Sequence, residues 1–131
     1  MTSLPSRIES VDTAAEIAAV FVKECGHGDE FAYAIDLAVR ESIANAVKHG
    51  NKFDENKNVD LTLSASDGNV EILVRDHGSG FSPEEIPDPT DPENLLKASG
   101  RGILFMRSFM DMVEWEDAED GGVIVRMRKG S

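Results

Sequence analysis

The spacing of the apolar residues changes partway along this chain, and that change limits its fold more than any other feature. Residues 12–26 and 29–49 carry apolar side chains at helical spacing, which predicts two amphipathic helices. From residue 59 onward, short apolar runs alternate with polar residues and turn signals, which predicts strands. Helices grouped early and strand pairs that follow indicate an α+β fold rather than a doubly wound sheet.

Short signals mark where the predicted elements begin and end. Asp12 or Thr13 opens the first helix, with Glu16 placed to complete a capping box, and Gly26 ends that helix. Asp67-Gly68 predicts a hairpin turn between two strands, which we therefore expect to pair antiparallel. The strands are expected at residues 4–10, 59–64, 69–75, 113–116 and 123–128.

The segment between the two predicted hairpins is rich in proline. Four of the five prolines lie between residues 83 and 92, a density that excludes a long helix and a central strand. A long loop inside a compact domain is usually either functional or disordered, and we interpret residues 82–98 as the functional version, a lid over a ligand. After Gly102 the apolar residues return to helical spacing, which predicts a third helix.

Length and charge exclude several classes of protein. A chain of 131 residues can bury one core, so we predict a single domain over residues 1–131. The net charge of −12 argues against direct nucleic-acid binding and against membrane association. No apolar run has the length of a signal or a membrane span, and the single cysteine, Cys25, can form no internal disulfide. We expect a cytoplasmic protein in which Cys25, late in the first helix, is an ordinary packed residue rather than a reactive thiol.

Three polar residues line one edge of the second predicted helix. Glu41, Asn45 and His49 follow one another at intervals of four, so their side chains project from neighbouring turns. An asparagine that is buried there needs partners to offset its desolvation. By itself, however, the spacing favours the simpler interpretation of a solvated polar edge.

A second cluster follows directly after an apolar strand. Asp76 can accept a hydrogen bond from an exocyclic amine, while Gly78 and Gly80 let the backbone approach a flat ring closely. A tight turn that leads into the proline-rich loop would have the same sequence. The cluster alone therefore does not establish a binding site.

A third cluster precedes the third predicted helix. Gly100 and Gly102 lie where the free N–H groups of a helix N-terminus can bind an anion. Lys97 and Arg101 add positive charge, which is unfavourable at a helix N-terminus unless an anion such as phosphate offsets it. Surface cations are often incidental, so this cluster too is weak evidence when taken alone.

The order of the three clusters gives a specific resemblance. Glu41-x-x-x-Asn45, followed by His49-Gly50-Asn51, resembles the N box of the GHKL ATPases. Asp76-x-Gly78-x-Gly80 resembles their first glycine box, and Gly100-x-Gly102 resembles their second. The resemblance extends over residues 12–129. Within that superfamily, residues 45–51 and 102–113 look most like those of the anti-sigma factor serine-protein kinases.

This resemblance implies a Bergerat ATP-binding fold, which is a two-layer α/β sandwich with helices on one face of a mixed, mostly antiparallel sheet. It implies that Asp76 accepts from the adenine amino group and that Asn45 gives its side-chain oxygen to Mg²⁺, which prefers oxygen ligands. Gly78 and Gly80 would allow close approach to the base. The other residues that it places at the ATP are His49, Lys97, Gly100, Arg101 and Gly102.

The resemblance also implies an activity. Glu41 resembles the general base of a serine-protein kinase, which would phosphorylate an anti-anti-sigma partner of the STAS-domain type and, in its other state, sequester a sigma factor. Homodimers are usual among such proteins. The alternative is a non-catalytic ATP-binding partner-switch module of the same fold. Two departures keep that alternative open: residues 122–125 lack the hydroxyl that relatives often place near adenine, and Ala98-Ser99 separates Lys97 from the second glycine box.

Overall fold

Two helices pack on one face of a five-stranded sheet in a computed structural model of the protein. The structure describes residues 1–78, 109–118 and 121–130. The third predicted helix, the lid at residues 82–98 and the site residues Gly80, Lys97, Gly100, Arg101 and Gly102 lie outside the described residues, apart from the last two positions of that helix. In chain order the elements are β1 (Thr2–Pro5), α1 (Glu9–Glu24), α2 (Asp29–Asn45), a π-helical turn (Ala46–Gly50), β2 (Asn58–Ser66), β3 (Asn69–Arg75), β4 (Met112–Asp117) and β5 (Val123–Gly130).

The sheet has the strand order β1-β2-β3-β5-β4. Each ladder between these five strands is antiparallel, so the two-layer α+β architecture is confirmed without a parallel pair among the described strands. The predicted turn between β2 and β3 is also confirmed. Asp67 and Gly68 have φ values of 54° and 84°, and such left-handed pairs match the right-handed twist of a hairpin.

The core lies between the sheet and the two helices. Alternate residues of β3 and β5, among them Ile72 and Met127, point to the same face as the apolar side of α2, where Ile35 and Val39 are fully buried. Each such side chain stabilises the fold by about 1.5–3 kcal/mol relative to an exposed one. The packing fixes α2 against the ends of β3 and β5, which is where Asn45 of the first polar cluster and Asp76 of the second lie.

The start of α1 differs from the prediction. The helix begins at Glu9, and its first residues carry no side-chain cap, so the capping box at Thr13 is wrong. Thr13 instead lies inside the helix, with its hydroxyl 3.4 Å from the Glu9 carbonyl oxygen. The preceding strand is shorter than expected because Ser10 is buried and donates to the Pro5 carbonyl at 2.6 Å, which turns the chain.

The end of α1 follows the prediction in its backbone but not in its burial. Gly26 has a φ of 81°, the left-handed conformation that ends helices. Cys25 is exposed at this end, so the prediction that it packs in the core is wrong. Val22, in the last turn of α1, is fully buried, and Cys25 lies just beyond it on the exposed side of the helix end.

The second helix widens in its last turn. Its α-helical part ends at Asn45, and the π-helical turn that follows closes with a 2.8 Å hydrogen bond from Asn51 N to the Ala46 carbonyl. Lys52 and Phe53 then adopt φ values of 51° and 62°, so two successive residues in the left-handed region reverse the chain. Single π-helical turns occur often at functional sites, and this one lies within the predicted N box.

No helix among the described residues combines the length and the apolar character needed to span a bilayer.

Candidate nucleotide site

A small pocket lies between the end of α2 and the sheet. Its floor is a row of side chains on three adjacent strands, because Val74 pairs with Val125 and Val125 pairs with Trp115. Apolar groups therefore dominate the walls, and a carboxylate and a carboxamide are the polar groups best placed to orient a ligand. The lining residues are Ser42, Asn45, Ala46, Val74, Asp76, Trp115, Val123 and Val125.

Asp76 is the charged group of this pocket. It follows β3 directly, and only 1% of its surface is exposed. Its Oδ1 accepts hydrogen bonds from Gly78 N at 3.0 Å and from Val123 N at 3.2 Å, and its own N–H donates to the Val123 carbonyl at 3.0 Å. Burial raises the pKa of the Asp76 carboxyl, and these two N–H donors only partly offset that effect.

Glycine backbone packs closely around Asp76 and the turn that follows it. A Cβ atom on Gly50 would lie 2.3 Å from Asp76 Cγ, and one on Gly122 would lie 2.1 Å from the Asp76 carbonyl oxygen. A Cβ atom on Gly78 would lie 1.8 Å from the Gly50 carbonyl oxygen. The space beside Gly78 is therefore filled by the protein's own backbone. Glycine is required there by packing, which the sequence did not reveal.

Asn45 lies beside Asp76 in the same pocket. It is the last residue of α2 and is only 4% exposed, so the simpler interpretation of a solvated polar edge is wrong for this residue. Ser42, one turn earlier, also lines the pocket and donates to the Val39 carbonyl at 3.1 Å. The structure thus brings Asn45 and Asp76 together in one pocket from separate elements.

Glu41 and His49 do not line the pocket. Glu41 lies one turn of α2 before Asn45 and is half-buried; burial raises the pKa of its carboxyl, and the positive charge of Lys48 partly offsets this. His49 lies in the π-helical turn, where burial first and Lys48 second lower the pKa of its imidazole. Both residues therefore lie near pocket residues in the sequence, but neither of them forms part of the pocket wall.

The side chain of His77 points away from the pocket. Its Nε2 lies 2.8 Å from Asp60 Oδ2, and Ser3 donates to Asp60 Oδ1 at 2.7 Å. Burial acts to raise the pKa of Asp60, but the hydrogen bonds from Ser3 and His77 outweigh it and hold that pKa below its usual value. The backbone of His77 faces the other way and is held by Asn51.

Adenine and Mg²⁺ fit these residues in different ways. A small, largely apolar pocket with one fixed carboxylate suits the exocyclic amine of a purine. Within the described ranges no group of three or more His, Cys, Asp or Glu residues could hold a metal. Magnesium that is shared with phosphates needs only one or two protein oxygens, and Asn45 offers one at the pocket.

Comparison with known proteins identifies the family of this chain. The sequence profile described as "Histidine kinase-like ATPase domain" matches residues 4–129. The chain belongs to the histidine kinase-like ATPase family. Family membership gives the coarse function, which is the use of ATP by a kinase-like domain.

Three relatives of this chain share the name anti-sigma F factor. An anti-sigma F factor of Geobacillus stearothermophilus is 34% identical over 128 residues, which cover 95% of this chain and 86% of that protein. An anti-sigma F factor of Heyndrickxia coagulans is 40% identical over 98 residues, which cover 70% of this chain and 64% of that protein. A third, from Clostridium perfringens, is 36% identical over 99 residues, covering 72% and 69%.

Solved structures show the same fold for this ATPase domain. The catalytic domain of the histidine kinase ThkA has a TM-score of 0.59 at 14% identity, covering 98% of this chain and 95% of that one. The histidine kinase domain of the blue-light activated histidine kinase from Erythrobacter litoralis EL346 has a TM-score of 0.56 at 23% identity, covering 96% and 61%. At such identities the likeness concerns the fold alone.

Sequence reasoning missed several residues of this site. Trp115 is the only tryptophan of the chain and forms part of the pocket floor, and Asn51 organises the backbone beside Asp76. Alternation along β4 could have placed Trp115 on the helix-facing side of the sheet. No sequence signal could have given the approach of Gly50 to Asp76, because it depends on the π-helical turn.

Proposed function

We propose that this protein is an ATP-dependent serine-protein kinase and anti-sigma factor. It transfers the γ-phosphate of ATP to a serine of an anti-anti-sigma partner of the STAS-domain type, and in its other partner state it sequesters a sigma factor. The observation that carries the proposal is the buried carboxylate of Asp76, fixed by two backbone donors in an apolar pocket that Asn45 shares. The names of the relatives, anti-sigma F factors, support the choice of partners.

Three residues have distinct roles in this proposal. Asp76 accepts a hydrogen bond from the amino group of adenine, and Asn45 gives its side-chain oxygen to Mg²⁺. Held there, Mg²⁺ would supply positive charge that offsets the negative charge of the phosphates. Glu41 accepts the proton of the serine hydroxyl as that oxygen attacks the γ-phosphorus and the bond to the ADP oxygen breaks. Its raised pKa suits a group that must take up a proton near neutral pH.

The remaining assignments extend the proposal along the nucleotide. Gly80 lies beside the base, and Gly100 and Gly102 cradle the phosphates at the N-terminus of the following helix. Lys97, Arg101 and His49 lie near the phosphates, where positive charge or an N–H donor stabilises the transferred group. The segment 82–98 closes over the bound ATP as a lid.

The setting of the protein follows from its charge and its partners. A net charge of −12 favours association with a basic surface and disfavours nucleic acid and anionic membranes. We place the protein in the cytoplasm, where a sigma factor acts. A homodimer is the assembly that we propose, and light scattering coupled to size-exclusion chromatography measures it directly.

Isothermal titration tests the nucleotide site first. We expect the wild-type protein to bind ATP and ADP, with Mg²⁺ strengthening the binding of ATP. Asp76→Asn should weaken both by at least tenfold, since a carboxamide can present its NH₂ to the adenine amine. Glu24→Gln, which alters an exposed carboxylate at the end of α1, should bind like the wild type. Equal affinity in Asp76→Asn and wild type would refute the adenine assignment.

Transfer of ³²P from γ-labelled ATP to purified STAS-domain proteins tests the chemistry. Glu41→Gln should bind ATP normally and lose at least a hundredfold in rate, because positioning remains while the base is gone. Full-rate transfer in this variant would remove Glu41 from the mechanism. Nucleotide binding by the wild type without transfer to any STAS protein would favour the non-catalytic partner-switch module.

A further inference from the structure

The side chain of Asn51 joins three separate parts of the chain beneath the candidate site. Only 2% of this residue is exposed. Its Nδ2 donates to Ser6 Oγ at 2.7 Å, after β1, and to the Asn58 carbonyl at 3.0 Å, at the start of β2. Its Oδ1 accepts from the backbone N–H of His77 at 2.8 Å, directly after Asp76.

These hydrogen bonds leave the carboxamide one orientation. Both Nδ2 hydrogens have acceptors and Oδ1 has a donor, so rotating the group by half a turn would set NH₂ against the N–H of His77. Ser6 extends the network, because its hydroxyl donates to the Lys57 carbonyl. A buried polar network that is satisfied in this way specifies one backbone arrangement.

The contact to His77 completes a row of three paired backbone N–H groups. Asp76 N donates to the Val123 carbonyl, His77 N donates to Asn51 Oδ1, and Gly78 N donates to Asp76 Oδ1. The acceptor of the first hydrogen bond belongs to β5, and the acceptor of the third belongs to the turn itself. The acceptor of the middle one belongs to the loop after α2, so Asn51 connects the end of that helix to the turn that carries Asp76.

We propose that Asn51 is a positioning residue for adenine recognition, acting through the backbone of residues 76–78. Its Oδ1 holds the turn against the Gly50 backbone, and this contact fixes the direction of the Asp76 carboxylate. Loss of Oδ1 leaves a buried N–H unpaired and lets the turn relax, which weakens the hydrogen bond to the base. This inference rests on the proposed ATP binding and adds to it a residue outside the pocket wall.

The expected effect is on binding and not on chemistry. Asn51→Ala should weaken ATP and ADP affinity by about tenfold and by the same factor, because the loss concerns the adenine end that both share. In the phosphotransfer assay the KM for ATP should rise with kcat unchanged. In the wild type, NMR hydrogen exchange should show the His77 amide protected without nucleotide, and this protection should disappear in Asn51→Ala.

Ser6→Ala is the matched control. It removes an acceptor of Asn51 Nδ2 within the same network and leaves the bond from His77 N to Oδ1 in place. We expect it to lower the melting temperature about as much as Asn51→Ala does, while its nucleotide affinity stays within about twofold of the wild type.

Three results would overturn the inference. Folded Asn51→Ala that binds ATP like the wild type would show that the contact does not set affinity. Equal weakening by Ser6→Ala would show a general loss of local order instead of an effect through His77. Rapid exchange of the His77 amide in the wild type, which can be measured even if Asn51→Ala does not fold, would remove the contact itself. Failure of the wild type to bind ATP would instead refute the proposed function, and would take this inference with it.

Discussion

At the scale of single residues, the site depends on how closely backbone approaches the Asp76 carboxylate. The carboxylate of an exposed aspartate would be hydrated, whereas this one is enclosed by glycine backbone and by N–H donors. The enclosure keeps the carboxylate in one direction and raises its pKa. Glycine is needed at residue 50 because of the space that the Asp76 side chain requires, which a sequence alone does not display.

Gly50→Ala tests this enclosure. Its new Cβ atom would lie 2.3 Å from Asp76 Cγ, so either the carboxylate or the π-helical turn must shift. We expect ATP affinity to fall by at least tenfold and the melting temperature to fall as well, as measured by titration and thermal unfolding. Gly28→Ala is the control, since a Cβ atom there meets nothing within 4 Å. Wild-type affinity in Gly50→Ala would mean that the carboxylate direction is unimportant.

The pKa of Glu41 gives a prediction on pH. The general base must be ionised, and burial raises its pKa, so the transfer rate should fall on acidification at a higher pH than an exposed glutamate would give. Lys48 acts to lower this pKa, so Lys48→Met should move the acid limb of the kcat profile to still higher pH. Lys52→Met, an exposed lysine of the next loop, is the control and should leave the limb unchanged. Identical profiles in all three proteins would contradict the assignment.

At the scale of elements, periodicity was sufficient for the helices and hairpins but not for their ends. The stripes of α1 and α2 and the Asp67-Gly68 turn were predictable because local sequence determines them. The helix start at Glu9 was not, because its N-terminus is set by the Ser10 contact to Pro5 and not by a side-chain cap. Tertiary contacts decided where each local pattern stopped.

The candidate site also combines residues that the sequence could predict with features that depend on tertiary contacts. Asn45 and Asp76 were predictable as a pair because a family motif places them at the ends of two elements. The π-helical turn was not predictable, since its wider hydrogen bonding depends on the loop that follows and on Asn51. The pocket floor was missed because the row from Val74 to Trp115 forms only when β4 and β5 are in register.

The floor of the pocket provides an optical test. Trp115 is the only tryptophan of the chain and lines the pocket beside Val123 and Val125, so its emission reports on this site alone. We expect ATP to change the emission saturably and to shift it to shorter wavelength as water leaves the pocket. The change should occur at much higher ATP concentration in Asp76→Asn. An emission spectrum that ATP leaves unaltered, despite binding seen by calorimetry, would place the nucleotide elsewhere.

At the scale of the whole molecule, the excess of negative charge affects the free energy of unfolding. The exposed ion pairs of Arg40 with Asp12 and Asp36 each contribute little, because solvent screens them. A net charge of −12 on 131 residues, by contrast, repels itself throughout the compact state. Repulsion between distant charges is screened by salt more strongly than contact pairs are, since only the former act over more than a Debye length.

Salt should therefore stabilise this protein. Raising NaCl from about 20 mM to about 500 mM shortens the Debye length severalfold, and we expect a gain of about 1 kcal/mol, or about 4 °C in melting temperature without nucleotide. Choline chloride should give the same rise in melting temperature at equal ionic strength if screening is the cause. Specific binding of Na⁺ would instead make the rise larger in NaCl than in choline chloride. A melting temperature that falls with salt would show that the ion pairs outweigh the repulsion. In that case the acidic surface would be stabilised by its local pairs, and the charge would influence partner association more than folding.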